Sequence, residues 1–436
     1  MSLAEAGDTE PIGTVSNHVG TGGAGEAAAE PVVSNLGDTE SIETEPIAIL
    51  HPSAAAVPDS RTGSRTDSGT DSGTEIHPGT VPGPTLAPVA SAAQSERLLA
   101  VHVGRSGEVA GGMSQVVNGY LAHSFADFDL RMIASRNGSG GVRAAGLAAS
   151  AFWKVLRLAR PERTVVIAHL SQGGSFAREG ALLALAHARG FATVAQLHGS
   201  SFADFAVKRP GLVGRVLRAA DVVLTLSAES QAAAAEFVPL ERVVLVPNAV
   251  ADGVRREIEP LVVFGGAVST RKGVDVLVAV WQRLAPQHPL WKLVIAGPIV
   301  DQPAVPLTRG EFVGALSHEA LMKLLERSAI AVLPSRDEAM PMFILEAMAR
   351  RNCVVATRVG GVPAVLANGV GMIVEPGDAD SLEAALRHAI TDAAWRAKKA
   401  DLARSAFETT YSAAAVFPLV ERSWKAALDR RADRVL

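Results

Sequence analysis

The sequence predicts an α/β protein of two similar domains facing each other across a cleft, with a disordered N-terminal tail ahead of them. Three observations carry this. Residues 1–95 contain no Phe, Trp or Tyr and are crowded with Gly, Pro, Ser, Thr and Glu, so they cannot bury a core. From Arg97 onward short apolar runs alternate with amphipathic stretches, the pattern of parallel strands joined by helices on both faces of a sheet. The alternation is interrupted at Pro247-Asn248-Ala249-Val250-Ala251-Asp252-Gly253, whose turn-forming residues fall where a chain of this length is expected to change domain.

In chain order, the tail shows short echoes such as Gly7-Asp8-Thr9-Glu10 and Gly37-Asp38-Thr39-Glu40, too brief and irregular for a solenoid. A first Rossmann-like domain is expected over 96–250, with strands at 98–103, 130–134, 164–168, 193–197, 222–226 and 243–246. A second is expected over 251–410, with strands at 261–264, 292–296, 311–313, 330–333, 354–357 and 371–374. Residues 411–436 are expected to form a helix packing back toward the first domain. Ligands of open α/β sheets sit beyond the carboxyl ends of the strands, so the site is expected between the domains.

Residues 1–95 hold 13 acidic and 2 basic residues, so the formal −4 of the whole chain leaves +7 on 96–436. A mildly basic body suits phosphate-bearing substrates or an anionic membrane surface, and an ordinary solvated surface as well. The single cysteine, Cys353, excludes an internal disulfide and a multi-cysteine zinc site; its apolar neighbours mark it as a small core residue. No signal-peptide pattern and no apolar run long enough to span a bilayer is seen, which predicts a cytoplasmic protein.

Four motifs carry chemistry. After the first strand, Gly111 and Gly112 open a helix expected near Ser114; they let backbone approach a phosphate, or form a plain flexible loop. His169 and His198 each follow a strand and point toward the expected cleft, or are satisfied polar residues at strand ends. The second domain opens on Gly265-Gly266, followed by Arg271-Lys272 at a helix start. Cations there are unfavourable to the helix unless an anion lies between them and the dipole, the alternative being a solvated basic turn.

The fourth motif is Pro334-Ser335-Arg336-Asp337-Glu338-Ala339-Met340-Pro341-Met342-Phe343-Ile344-Leu345-Glu346, a strand-to-helix turn with Pro341 expected in the first helical turn. It sets Glu338 in the turn and Glu346 on the helix. The amides of Met340, Met342 and Phe343 are candidate donors to a diphosphate. Solvated glutamates are the alternative. Asp127-Phe128-Asp129 invites comparison with a metal-binding Asp-x-Asp pair, but it precedes the second strand, far from the expected site, and no further ligand cluster accompanies it.

Together with His198-Gly199, Pro247-Asn248, Lys272-Gly273, Val359-Gly360-Gly361-Val362-Pro363 and Glu375-Pro376-Gly377-Asp378, these motifs resemble the retaining GT-B glycosyltransferases of family 4 (glycosyl transferases group 1) over residues 97–428. The resemblance implies sugar transfer from a nucleotide-sugar held between the domains. It implies that Glu346 accepts from the ribose hydroxyls, Glu338 faces the sugar, Lys272 holds the diphosphate and His198 contacts the donor sugar. The leaving group would be stabilised by cations and amides, with no cofactor and no metal, and the nucleotide-sugar is a substrate. Ala267 stands where the family usually has Arg, which leaves Arg271 to supply that contact; Ala249 and Ala364 replace a usual Gly and a frequent Glu.

The segment from Ala168 to Gly180, with His198-Gly199-Ser200-Ser201-Phe202, is similar to an exopolysaccharide-building subgroup that uses lipid-linked acceptors, and implies that Arg178 meets an acceptor phosphate. The partners implied are a nucleotide-sugar donor and a glycan or lipid-linked acceptor, with no nucleic acid. Residues 208–218 are basic and apolar at once, fitting either a helix packed on the sheet or peripheral contact at the inner face of the plasma membrane. Two rival readings remain at this point: a nucleotide-sugar 2-epimerase of the same architecture, and a nucleotide-sugar-binding scaffold without turnover.

Overall fold

The structure is a computed structural model that describes residues 97–105, 112–137 and 141–435. The expected tail and Gly111 lie outside the described residues. The first half runs β1 (Leu98–Arg105), α1 (Gly112–Ala122), β2 (Phe128–Arg136), α2 (Gly141–Leu156), β3 (Thr164–Leu170), α3 (Gly174–Ala188), β4 (Ala192–Leu197), α4 (Phe202–Lys208), α5 (Pro210–Arg218), β5 (Val222–Thr225), α6 (Ala228–Ala235) and β6 (Val243–Leu245). The second half runs β7 (Glu259–Gly265), α7 (Val274–Leu284), β8 (Lys292–Ala296), β9 (Gly310–Gly314), α8 (His318–Arg327), β10 (Ser328–Leu333), α9 (Met342–Ala349), β11 (Cys353–Thr357), α10 (Val362–Val365), β12 (Met372–Val374), α11 (Ala379–Thr391), α12 (Ala393–Ala406) and α13 (Ala413–Val435).

Every pairing between these strands is parallel. Parallel sheets are covered on both faces, and β3, β4, β10 and β11 are accordingly buried along their whole length. The first sheet has the order β2-β1-β3-β4-β5-β6, the second β12-β11-β10-β7-β8-β9. In each, the chain first builds to one side and then returns to build on the other. The direction reverses between β1 and β3 in the first sheet and between β7 and β10 in the second. Loops leaving such a pair of strands diverge and open a crevice, the place where ligands bind in doubly wound sheets.

The last helix, α13, lies against β3, β4 and β5 of the first sheet. Trp424 on it is fully buried and touches His102, Tyr120, Phe125 and Phe128. The chain therefore crosses between the sheets twice, and the crossings touch where the Val250 amide donates to the Tyr411 carbonyl at 3.1 Å. α5 buries Val213, Val216 and Leu217 and turns Arg215 and Arg218 outward, the disposition of an amphipathic helix packed on the domain. Gly180 of α3 makes that packing close, since a Cβ there would lie 2.5 Å from a Val216 methyl. Among the described residues no helix is long and apolar enough to cross a membrane.

Candidate active site

Lys272 and Glu338 come from the loops that follow β7 and β10, the two strands flanking the reversal in the second sheet. Their side chains form an ion pair, with little of either exposed, and Ser335 Oγ donates to the same Glu338 oxygen at 2.7 Å. Glycines hold this arrangement where no other residue fits. Gly273 has φ 71°, and a Cβ on it would lie 1.9 Å from the Pro334 carbonyl oxygen. Gly360 has φ 49°, and its Cβ would lie 1.6 Å from the Glu338 carbonyl oxygen. The Gly361 amide also donates to the Ala339 carbonyl at 2.8 Å, so the Val359–Pro363 motif clamps the backbone that carries Glu338.

Arg271 lies beside Lys272 in a 3-10 turn ahead of α7, half-exposed. Its guanidinium donates to the Asp337 carbonyl at 2.9 Å. Asp337 in turn accepts from Ser200 Oγ at 2.7 Å, which brings the loop after β4, two residues beyond His198, onto the loop that carries Glu338. His198 and the Lys272–Glu338 pair thus belong to two loops in direct contact. Gly266, at φ 154°, lies beside the Lys272 stem, but Gly265 is the residue under Phe343, whose ring would stand 2.6 Å from a Cβ there.

α9 begins at Met342, with Pro341 at the N-cap position and not in the first turn as expected. Met340 therefore precedes the helix, and the Asn248 side chain from the inter-sheet crossing donates to its carbonyl at 3.4 Å. No side chain caps α9, which leaves the Met342 and Phe343 amides and the positive end of the helix dipole available to an anion. α1 is described from Gly112, close to the expected start near Ser114, and Gly112 lies against Met342, where an added Cβ would be 3.5 Å from the side chain. The two helix starts, one from each half of the chain, converge.

Glu346, one turn further along α9, is 6% exposed. Burial pushes its carboxyl up to about 7, with Arg350 pulling the other way, and His318 Nδ1 is 3.6 Å from one oxygen. Hydroxyls donating to this group favour its ionised form. Affinity for a nucleotide-sugar is therefore expected to rise about tenfold between about pH 6 and pH 8, as the free carboxyl loses its proton. Titration calorimetry across that range checks this, and Glu346→Gln should flatten the profile.

Arg178 lies on α3, and through Glu179 and Ser135 it is linked to the carboxyl ends of β1 and β2. It pairs with its neighbour Glu179, a fully buried carboxylate that also accepts from Ser135 and Ser175. Asp127 and Asp129 lie at the amino end of β2, paired with Lys425 and Arg97. Among the described residues no group of three or more His, Cys, Asp or Glu side chains is placed to hold a metal ion.

Residues 248–408 match the family model of the glycosyl transferases group 1. The glycogen synthase of Mycobacterium tuberculosis (strain ATCC 25618 / H37Rv) is 35% identical over 148 residues, covering 32% of this chain and 36% of that protein. The phosphatidylinositol N-acetylglucosaminyltransferase gpi3 subunit of Schizosaccharomyces pombe is 34% identical over 132 residues, 28% of each chain. The chain thus spans about a third of the length of these curated relatives. Among solved structures, Anabaena Alr3699/HepE in complex with UDP and glucose superposes with a TM-score of 0.57 at 16% identity, covering 74% of this chain and 99% of that one. Sucrose-phosphate synthase from Thermosynechococcus elongatus gives 0.57 at 17% identity, covering 76% and 98%. At such identities the likeness is one of fold, and the fold is GT-B.

Proposed function

We propose that this protein is a retaining, metal-independent glycosyltransferase of family 4 that moves a hexose from a nucleotide-sugar to a glycan or lipid-linked acceptor in polysaccharide biosynthesis. The observation that carries the reading is the convergence of Lys272, Glu338, the uncapped start of α9 and Glu346 on one sheet reversal, with the His198 loop docked against it. The glycosyl transferases group 1 match over this same segment supports it.

In this reading Glu346 accepts from the ribose hydroxyls, and the diphosphate lies over the Met342 and Phe343 amides within reach of Lys272 and Arg271. Glu338 orients the sugar while His198 contacts it from the first domain. The acceptor hydroxyl attacks the anomeric carbon on the face from which the diphosphate departs. That bond breaks as the new one forms, and the leaving oxygen takes up the hydroxyl proton, so configuration is retained. Charge growing on the leaving oxygens is offset by the two cations and the helix start. Arg178 meets an acceptor phosphate, and the protein works in the cytoplasm, in peripheral contact with the membrane.

The test is release of free nucleotide from a panel of nucleotide-sugars, with and without candidate acceptors. Acceptor-dependent release, with transfer of the sugar, is the expected result. Release of an altered sugar would indicate an epimerase, and binding without release a scaffold. Arg271→Ala should lower turnover more than donor affinity, by about tenfold, since the charge it meets grows toward the transition state. Wild-type turnover in that variant would leave Arg271 as a turn residue held by Asp337.

A further inference from the structure

Three histidines from three adjacent strands stand in line behind the site. His102 lies in β1, His169 in β3, and His198 one residue past the end of β4. His102 Nδ1 is 2.9 Å from His169 Nε2, and His169 Nδ1 is 2.9 Å from His198 Nε2. His102 and His169 are fully buried and His198 is half-buried. Gly104 leaves space for the middle ring, since a Cβ there would lie 3.0 Å from the His169 Cβ.

Burial holds all three rings neutral. It lowers His102 to about 3 and His198 to about 4, and takes His169 well below the usual histidine range. A neutral imidazole carries one N–H, so both bonds form only if all three protons point the same way along the line. In one register His102 Nδ1–H donates to His169, His169 Nδ1–H donates to His198 Nε2, and His198 keeps an Nδ1–H for a further acceptor. In the other every proton sits on Nε2, and the line ends inside the core with His102 Nε2–H.

The core decides between them. Among the described residues His102 Nε2 is buried with no hydrogen-bond partner, and an orphaned N–H is rarer there than a bare lone pair. The ring edge-on to His102, at a centroid distance of 5.4 Å, is Trp424, whose buried indole N–H is also without a partner. An indole N–H only donates, so Trp424 offers no acceptor to a second N–H on His102.

We propose that His102 and His169 are positioning residues that lock His198 as its Nδ1–H tautomer, so that the first domain presents a fixed hydrogen-bond donor to an oxygen of the donor sugar. The direction of that bond rests on the proposed function only in naming the acceptor. The lock itself is a property of the free protein. His169 transmits the register and His102 sets it, because only His102 has a nitrogen facing the closed core.

The experiment uses the full chain with 15N-labelled histidine rings at about pH 7.5, His198 being assigned by comparison with His198→Gln. The expected spectrum shows Nε2 of His198 unprotonated and Nδ1 protonated. A protonated Nε2 overturns the inference, whatever the protein's activity. In His169→Phe, which keeps the ring's bulk and removes the donor to His198 Nε2, His198 should become a mixture of tautomers. Turnover at saturating donor should then fall about tenfold, with KM for the donor held within about twofold. His169→Asn, whose amide N–H can stand where Nδ1–H stood while its oxygen accepts from His102, should retain both tautomer and turnover. An unchanged His198 tautomer in His169→Phe, or an equal loss in the Asn and Phe variants, would overturn it. Absence of transfer with every donor and acceptor would remove the proposed function while the ring shifts still decide the tautomer.

Discussion

Lys272→Ala is expected to lower turnover at saturating donor by roughly 10²–10³, the loss typical when a preorganised charge partner of a transition state is removed. It should also destabilise the protein. Glu338 is 7% exposed and paired with Lys272, so the variant leaves a buried carboxylate whose remaining support is the Ser335 hydroxyl. Breaking one side of a buried pair costs about 3–5 kcal/mol. Lys272→Ala with Glu338→Gln should therefore recover much of the lost stability and none of the turnover. Thermal unfolding and steady-state rates on the two variants check both halves. Wild-type turnover in Lys272→Ala would show that the diphosphate is held elsewhere.

Gly360→Ala is expected to do comparable damage from a residue that makes no contact with donor or acceptor in this account. A side chain at φ 49° strains the backbone by roughly 1–3 kcal/mol. The new Cβ would also overlap the Glu338 carbonyl oxygen, at 1.6 Å, so one of the two backbone segments must move. The melting temperature should fall by about 5 °C or more, and donor turnover should fall with it because Glu338 leaves its position beside Lys272. Gly377→Ala, at φ 82° with open space around it, controls for backbone strain alone. Equal effects from the two substitutions would mean that the clamp on Glu338 plays no part.

Much of the fold was legible because its strands are buried on both faces and so read as continuous apolar runs. The stretch Ala329-Ile330-Ala331-Val332-Leu333 has no other home than the middle of a covered sheet. Helix starts were less legible. α9 begins at Met342 with Pro341 as its N-cap, one position later than the expected first-turn proline. Lys272, Glu338 and Glu346 were legible as candidates because each follows a recognisable strand through a glycine- or proline-marked turn.

The partners of those residues were not legible. Ser200 and Asp337 are 137 positions apart, and nothing local announces that their loops meet. The histidine line needs β1, β3 and β4 to be neighbours before His102 has any relation to His198. Arg178 shows the converse. Adjacent residues on a helix do not normally face each other, so its pairing with Glu179 is missed by any reading of helix spacing. Gly360 could be noted as part of a motif, but the reason for it is a carbonyl 22 residues away.

The central claim is that the start of α9 and Lys272 receive the diphosphate while Glu346 receives the ribose. A crystal structure of the protein bound to a nucleoside diphosphate tests it most directly. The account predicts phosphate oxygens within hydrogen-bond distance of Lys272 Nζ and the Met342 and Phe343 amides, and both ribose hydroxyls on the Glu346 carboxylate. A nucleotide seated anywhere else, or one bound here with its ribose turned away from Glu346, would contradict it.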